Sequence, residues 1–219
     1  MRVAVAASAL VSVASAARKN IAPTPPMGWM SWERFRCETN CTAFPDDCIS
    51  EKLYLDHARR MVDDGYLAAG YTVISIDDCW SERERDGNHN LVPDKSRFPN
   101  GLKSYGDTIH KMGLKFGLYT AESLKTCAGF PGSISTNEQD VAAFASWGVD
   151  YLKVDGCAGD IGHKIYEEGY TSMGQALQNS GRDIVYSCSW PAYYDSEGAG
   201  GYNETGKKYC YDKMHEIGC

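Results

Sequence analysis

A lysine and an aspartate stand two residues apart in the stretch Tyr151–Cys157, at the end of an otherwise apolar segment. The alternation of apolar and polar residues before Gly156 predicts a short β-strand that ends in a turn. Side chains two positions apart on a strand point to the same face, so Lys153 and Asp155 should project together. Such a pair fits chemistry at a strand end, and it also fits a buried ion pair with a purely structural role.

Polar and aromatic residues recur at the ends of the other predicted strands. The candidate residues, in chain order, are Trp32, Asp77, Asp78, Tyr119, Lys153, Asp155, Ser189, Ala192 and Tyr193. Aromatic faces stack on the C–H patches of a sugar, and carboxylates accept hydrogen bonds from its hydroxyls. Asp155 fits the nucleophile of a glycosidase because the neighbouring ammonium favours its ionised form. The adjacent Asp77 and Asp78 fit the binding of sugar hydroxyls better.

Predicted strands alternate with predicted helices along the chain. The strands are expected near 27–32, 71–78, 115–119, 151–155 and 184–190, and the helices near 50–65, 101–112, 136–147 and 165–177. This alternation predicts an α/β fold with a parallel sheet and right-handed crossovers. The spacing of the strands suits a (β/α)8 TIM barrel, truncated here to about its first five strands. A doubly wound open sheet is less favoured because no G-x-G-x-x-G motif follows any strand.

Composition and the N-terminal residues restrict the class of protein. The net charge of -7 and the lack of a basic run argue against nucleic acid as a partner. Residues 1–17 resemble a secretory signal peptide, and residues 18–219 are expected to form the partial catalytic barrel. No other apolar run is long enough for a membrane span. We therefore expect a protein of the secretory pathway, either lysosomal or secreted.

Nine cysteines in a chain with a secretory signal predict disulfides. Eight can pair, and Cys219 is the natural odd one, although the sequence does not choose among the pairings. The histidines form no ligand motif, so neither a metal nor a cofactor is expected. Glycosylation sequons occur at Asn203 and, adjoining a cysteine, at Asn40.

Several motifs together resemble a known family. They are Met27-Gly28-Trp29, Trp32-Glu33-Arg34-Phe35, Ile76-Asp77-Asp78-Cys79-Trp80, Arg97-Phe98-Pro99, Cys127-Ala128-Gly129-Phe130-Pro131-Gly132, Lys153-Val154-Asp155-Gly156-Cys157 and Tyr186-Ser187-Cys188-Ser189-Trp190-Pro191. From about Pro25 to about Tyr193, the chain resembles glycoside hydrolase family 27, in the branch of animal lysosomal α-galactosidase and α-N-acetylgalactosaminidase. The order of the motifs makes this resemblance specific.

The resemblance implies a retaining exo-α-glycosidase in which Asp155 is the nucleophile. It implies that Asp77 and Asp78 bind the 4- and 6-hydroxyls of the sugar and that Lys153 lies near the 3-hydroxyl. The remaining substrate-binding residues it implies are Trp32, Tyr119, Ser189, Ala192 and Tyr193. It also implies four disulfides that leave Cys219 free, namely Cys37–Cys79, Cys41–Cys48, Cys127–Cys157 and Cys188–Cys210. A homodimer of the full-length protein is compatible with this resemblance.

Two small residues, one at the end of the fifth predicted strand and one just after it, bear on specificity. Family α-galactosidases resemble one another in having Glu and Leu where this chain has Ser189 and Ala192, whereas the N-acetylgalactosaminidases have Ser and Ala. Small residues leave room for a 2-acetamido group, whose carbonyl a serine hydroxyl can bind. Terminal α-linked N-acetylgalactosamine (α-GalNAc) is therefore the favoured substrate, with α-galactose second.

The chain departs from the family after its last predicted strand. The family's acid/base aspartate follows an arginine by four residues, and no arginine follows Cys210. The acid role is therefore carried onto neither Asp212 nor Glu216, and the closing strands and the C-terminal β-domain are expected to be absent. Three hypotheses follow: an exo-glycosidase, a non-catalytic sugar-binding remnant, and a chain that does not fold alone.

Overall fold

The computed structural model describes residues 21–157, 163–190 and 211–219. The predicted signal peptide, Ala192, Tyr193, Asn203 and Cys210 lie outside these ranges. Helices and strands follow one another as β1 (Gly28–Met30), α1 (Trp32–Phe35), α2 (Glu51–Asp63), β2 (Val73–Ser75), α3 (Gly101–Lys111), β3 (Lys115–Ala121), α4 (Asn137–Trp147), β4 (Tyr151–Asp155), α5 (His163–Asn179), β5 (Val185–Cys188) and α6 (Tyr211–Ile217).

The five strands form one sheet in the order β1-β2-β3-β4-β5, and every neighbouring pair is parallel. The α/β fold expected as part of a (β/α)8 barrel is thereby confirmed. Parallel neighbours joined by helical crossovers have all their carboxyl ends at the same edge. The predicted site residues at strand ends that the structure describes are therefore brought to that edge of the sheet.

The helices begin and end largely where the sequence predicts. Ser50 caps α2, because its hydroxyl accepts a hydrogen bond from the backbone N–H of Leu53. Thr136 precedes α4, but its side chain makes no cap hydrogen bond to that helix. Its hydroxyl instead donates to the carbonyl of Ser133 and contacts the Asp140 carboxylate. Two short helices, α1 and α6, were not predicted, because four to seven residues show too little periodicity.

Three expected disulfides are present: Cys37–Cys79, Cys41–Cys48 and Cys127–Cys157. The fourth prediction is wrong, because Cys188 pairs with Cys219, which was expected to be free, and not with Cys210.

The packing of α6 on α5 explains this difference. A Cβ added to Gly174 would lie only 2.5 Å from the backbone carbonyl oxygen of Ile217. The two helices can therefore approach closely only because residue 174 is glycine. Met214 and Ile217 are buried in this contact. The chain end is thereby brought to β5, with the Cα atoms of Cys188 and Cys219 5.6 Å apart. No sequence pattern shows this docking.

Among the described residues, no helix combines the length and the apolar character that a bilayer crossing requires.

We expect Gly106→Ala to destabilise the protein by about 1–3 kcal/mol because of overpacking. A Cβ on this residue of α3 would lie 2.4 Å from the Trp147 carbonyl oxygen and 3.1 Å from the Phe116 ring. That clash outweighs the gain of about 1 kcal/mol that alanine normally brings to a helix. Urea unfolding measures the change. Gly87→Ala is the matched control, since nothing lies within 4 Å of its Cβ position, and an equal loss in both variants would contradict the close-packing explanation.

Candidate active site

The end of β4 projects Lys153 and Asp155 toward the same side of the sheet, as predicted. In the register of the sheet, Tyr119 is the partner of Lys153, and Ala121 is the partner of Asp155. Partners on neighbouring strands share a face, so Tyr119 joins the two charged residues. The chemistry-bearing residues of β3 and β4 are therefore brought together by strand register alone.

The ammonium of Lys153 lies between two carboxylates. Its Nζ donates a hydrogen bond of 2.9 Å to Oδ2 of Asp77 and lies 3.8 Å from Oδ2 of Asp155. The Asp77 side chain is 2% exposed, whereas those of Asp155 and Lys153 are 15% and 19% exposed. The nearer partner of the lysine is thus Asp77, which follows β2 and is separated from β4 by β3, and not the aspartate two residues along its own strand. Charge compensation extends over both carboxylates.

Asp78 is held by backbone and side-chain donors. Oδ1 accepts hydrogen bonds from Thr126 Oγ1 at 2.7 Å and from the Cys79 N–H at 2.7 Å, and Oδ2 accepts from the Ala128 N–H at 2.9 Å. Burial raises the pKa of Asp78 above its ordinary value, and these donors oppose that rise. The Asp78 N–H donates to Oδ1 of Asp77 at 2.8 Å. The two aspartates are therefore rigidly oriented.

Tyr119 is close enough to these carboxylates to be affected by their charges. Its pKa is raised far above the ordinary value, first by burial and then by the negative charges of Asp78, Asp155 and Asp77. Lys153 Nζ lies 5.1 Å from the centroid of its ring, which permits a cation–π contact. The phenol stays protonated and can act as a hydrogen-bond donor. In the structure it donates to Sγ of Cys127 at 3.2 Å.

The Cys127–Cys157 disulfide lies beside Asp155. Its two sulfur atoms and a carboxylate oxygen of Asp155 all lie within 4.8 Å of one another. Metal binding requires thiolates, and these cysteines are joined to each other, so the group is not a metal site. The disulfide instead connects the loop after β3 to the turn after β4, and so it braces the residue following the strand end.

The end of β1 is connected to the site through Ser31. Its hydroxyl accepts hydrogen bonds from Tyr54 Oη at 2.8 Å and from the Asp77 N–H at 3.3 Å. Trp32 follows immediately and is half-buried, with the Arg36 guanidinium carbon 5.3 Å from its ring centroid. At the other end of the strand order, Ser189 directly follows β5, and its N–H donates a 3.0 Å hydrogen bond to the carbonyl of Val154.

Sequence reasoning missed the residues that orient the aspartates. Ser31 and Thr126 are loop residues with no distinguishing local pattern, and Ala128 was assigned no role of its own, although it belongs to the motif that begins at Cys127. Their role depends on contacts across 46 to 50 positions of the chain. Only the adjoining motif residues indicated that this region carries function.

A cavity of about 480 Å³ lies between β1 and α2, and none of the site residues described above lines it. Its lining includes Trp29, His57 and Met61. Two aspartates also line it, but Asp56 is paired with Lys52 and Arg59, and Asp64 with Arg60, at the exposed surface of α2. The strand ends are therefore the better candidate for the active site.

Known proteins resemble this chain in sequence and in fold. The family model described as Melibiase_2, alpha galactosidase A, matches residues 24–215. The chain is 50% identical over 174 residues to the alpha-N-acetylgalactosaminidase of Gallus gallus, which covers 79% of this chain and 42% of the relative. It is 45% identical over 197 residues to alpha-galactosidase A of Homo sapiens, which covers 90% of this chain and 46% of the relative.

A solved α-galactosidase structure from Saccharomyces cerevisiae is similar in fold, with a TM-score of 0.68 and 41% sequence identity. The match covers 75% of this chain and 35% of that one. The chain thus spans less than half the length of these relatives. The matching model, the identities and the shared fold together show that the chain belongs to glycoside hydrolase family 27.

Proposed function

We propose that this chain carries the nucleophile half of a retaining exo-α-glycosidase that acts on terminal α-linked GalNAc. The observation that carries the proposal is the ammonium shared by Asp77 and Asp155, next to a buried phenol. Family membership supports the same reaction class. Because the relatives are more than twice as long as the matched region, the activity of the whole protein belongs to this proposal.

In the proposed mechanism, a carboxylate oxygen of Asp155 attacks the anomeric carbon, and the bond to the leaving oxygen breaks. The product is a covalent glycosyl-enzyme, which water hydrolyses in a second displacement that restores the original configuration. Asp155 is partly exposed at the strand end, so a sugar can reach it. The proton for the leaving oxygen comes from a general acid that we assign to no residue of this chain.

The other site residues are proposed to bind the sugar. Asp77 and Asp78 are acceptors for the 4- and 6-hydroxyls, since each carboxylate has more lone pairs than the hydrogen bonds described above use. Lys153 can donate to the 3-hydroxyl while it retains its contact with Asp77. Trp32 and Tyr119 supply apolar faces for the ring carbons.

Specificity for the 2-acetamido group is proposed to depend on Ser189 and Ala192, with Tyr193 beside them. Ser189 follows β5 and is half-buried at the carboxyl edge of the sheet, which supports its place near the sugar. The likeness to the Gallus gallus N-acetylgalactosaminidase points the same way. The likeness to human alpha-galactosidase A over 90% of the chain favours α-galactoside as the second candidate.

Secretion and delivery to the lysosome or the cell exterior remain part of the proposal. Four disulfides among the described residues support it, because such bonds persist in oxidising compartments. A homodimer and glycosylation at Asn203 stay predictions.

We expect Asp155→Asn to reduce kcat/KM for an aryl α-GalNAc substrate by about 10⁴-fold or more, because the amide cannot form the glycosyl-enzyme. Steady-state assays of the full chain measure this. Asp63→Asn is the matched control, since Asp63 is exposed at the end of α2. Hydrolysis that continues undiminished in Asp155→Asn would sink the proposed mechanism. Sugar binding without turnover in the unaltered chain would instead support a non-catalytic sugar-binding protein.

The double change Ser189→Glu with Ala192→Leu should shift preference from α-GalNAc toward α-galactoside. The larger side chains fill the space of the acetamido group and add a charge there, so the ratio of the two kcat/KM values should fall by about tenfold or more. Parallel assays with the two aryl glycosides measure the ratio. If the ratio does not change, these residues do not set specificity.

A further inference from the structure

A buried acid and a buried amide lie directly behind the proposed nucleophile. Glu122 follows the last residue of β3, and Asn137 is the first residue of α4. They are 0% and 4% exposed. The backbone N–H of Glu122 donates a 2.6 Å hydrogen bond to the carbonyl of Asp155. A shift in the position of Glu122 would therefore affect the end of β4 directly, because this main-chain hydrogen bond joins the two residues.

In this pair, one oxygen of each side chain has no hydrogen-bond partner among the described residues. Nδ2 of Asn137 donates to Oε1 of Glu122 at 2.9 Å and to the Gly169 carbonyl at 3.2 Å, which fixes the orientation of the amide. The other two oxygens, Oε2 of Glu122 and Oδ1 of Asn137, are buried and have no hydrogen-bond partner among the described residues. Two acceptors cannot bond to each other unless one carries a proton.

A proton on Oε2 of Glu122 would give both of these oxygens a hydrogen-bond partner. Its O–H would be the donor that Oδ1 of Asn137 lacks, and the acid and the amide would then be joined by two hydrogen bonds. An ionised Glu122 would leave both oxygens unpaired in a buried site, which is energetically unfavourable. The arrangement of donors and acceptors therefore favours the neutral carboxyl.

The surroundings of Glu122 supply no positive charge among the described residues. From α4 comes the negative charge of Asp140, which is itself paired with Arg85 at 2.6 Å. From β5 comes the neutral phenol of Tyr186, whose pKa is raised by burial first and then by the charge of Glu122. In the part of the chain that the structure describes, no ion pair includes Glu122.

From α5 the contact is Gly169, which brings no charge and lies so close that a Cβ there would be 2.5 Å from Cγ of Glu122. The carboxyl therefore has no room to move toward α5. Burial raises its pKa to about 7, the hydrogen bond from Asn137 opposes the rise, and the charge of Asp140 adds to it.

We propose that Glu122 is a positioning residue for Asp155, and that its neutral carboxyl and Asn137 form a two-bond pair that secures the end of β4 in acidic medium and is lost above neutral pH. The catalytic meaning of this pair rests on the proposed role of Asp155. Its structural content, a strand end whose stability depends on one proton, does not depend on that role.

The direction of the pH dependence follows from linkage. The folded pKa of about 7 lies above the ordinary value of 4.5, so the folded state binds more protons between these values. The contribution to stability is complete below the ordinary value and is lost as the pH rises through about 7. Raising a pKa by one changes the folding equilibrium constant tenfold at most, so the largest loss here is about 300-fold.

Hydrogen–deuterium exchange of the full chain at about pH 5 and pH 8 tests the proposal, with intrinsic rates corrected for pH. In the unaltered protein, protection of the peptides containing Glu122 and Asp155 should fall by about tenfold or more at the higher pH. In Glu122→Gln the amide can form both hydrogen bonds with Asn137 without titrating, so protection should be nearly equal at the two values. Glu167→Gln, an exposed change on α5, should behave like the unaltered protein.

Equal pH dependence of these peptides in the unaltered protein and in Glu122→Gln would overturn the proposal. If Glu122→Gln fails to fold, the unaltered protein still decides, with the β2 peptide around Ile74 as internal reference. Loss of protection confined to the β3–β4 end supports the proposal, and a uniform loss across the sheet refutes it.

Activity assays separate this inference from the proposed function. If the chain hydrolyses aryl α-GalNAc, the alkaline limb of its kcat/KM profile should move to higher pH in Glu122→Gln. A purely structural role would lower activity equally at every pH, and that result would count against positioning. An inactive chain with pH-dependent protection would overturn the enzymatic proposal and leave the acid–amide pair standing.

Discussion

The ammonium of Lys153 is the charge on which the rest of the site depends. Asp77 and Asp78 are almost completely buried, and Asp155 is close to them across the sheet. Several carboxylates in a small volume repel one another, and each loses hydration, so such a group is stable only with a positive charge and donors among its members. Lys153 supplies the charge, and the donors around Asp78 supply the hydrogen bonds.

This compensation connects strands that are far apart in the sequence. The ion pair between Lys153 and Asp77 spans 76 positions. The hydroxyl of Ser31 extends the connection to β1, and the Cys127–Cys157 disulfide holds the two loops beside the proposed nucleophile. A site built in this way tolerates little movement, which suits a reaction that requires the nucleophile close to an anomeric carbon. Because a single main-chain hydrogen bond joins Glu122 to Asp155, protonation of Glu122 can affect the position of Asp155 in this rigid site.

The negative charge of the buried carboxyl groups is thus compensated in different ways on the two faces of the β3–β4 edge. On the site face, a lysine among the acids permits ionised carboxylates at a partly exposed surface. On the helix-facing side, Glu122 has an amide and a phenol as neighbours and no cation among the described residues, so the proton itself removes the charge. Family 27 membership explains the first face through its shared motifs. The second face rests on Glu122 and Asn137, which none of those motifs includes.

Much of the fold followed from the sequence, because alternation of short apolar strands with amphipathic helices leaves few arrangements other than a parallel sheet. The strand β4 was placed at its observed bounds, and the motifs predicted a site that contains Lys153, Asp155 and the two adjacent aspartates. Local pattern sufficed there, since strand periodicity and terminal position are properties of neighbouring residues.

Tertiary structure decided what depends on contacts between distant segments. It determined that Lys153 donates to Asp77, that Thr126 and Ala128 hold Asp78, and that Glu122 and Asn137 face each other. It also determined the partner of Cys188, because the docking of α6 on Gly174 carries Cys219 to β5. The sequence by itself determined which residues are chemically able to act. Which of them meet depends on packing, because a hydrogen bond or a disulfide is decided by a few ångströms between chain segments that no local pattern relates.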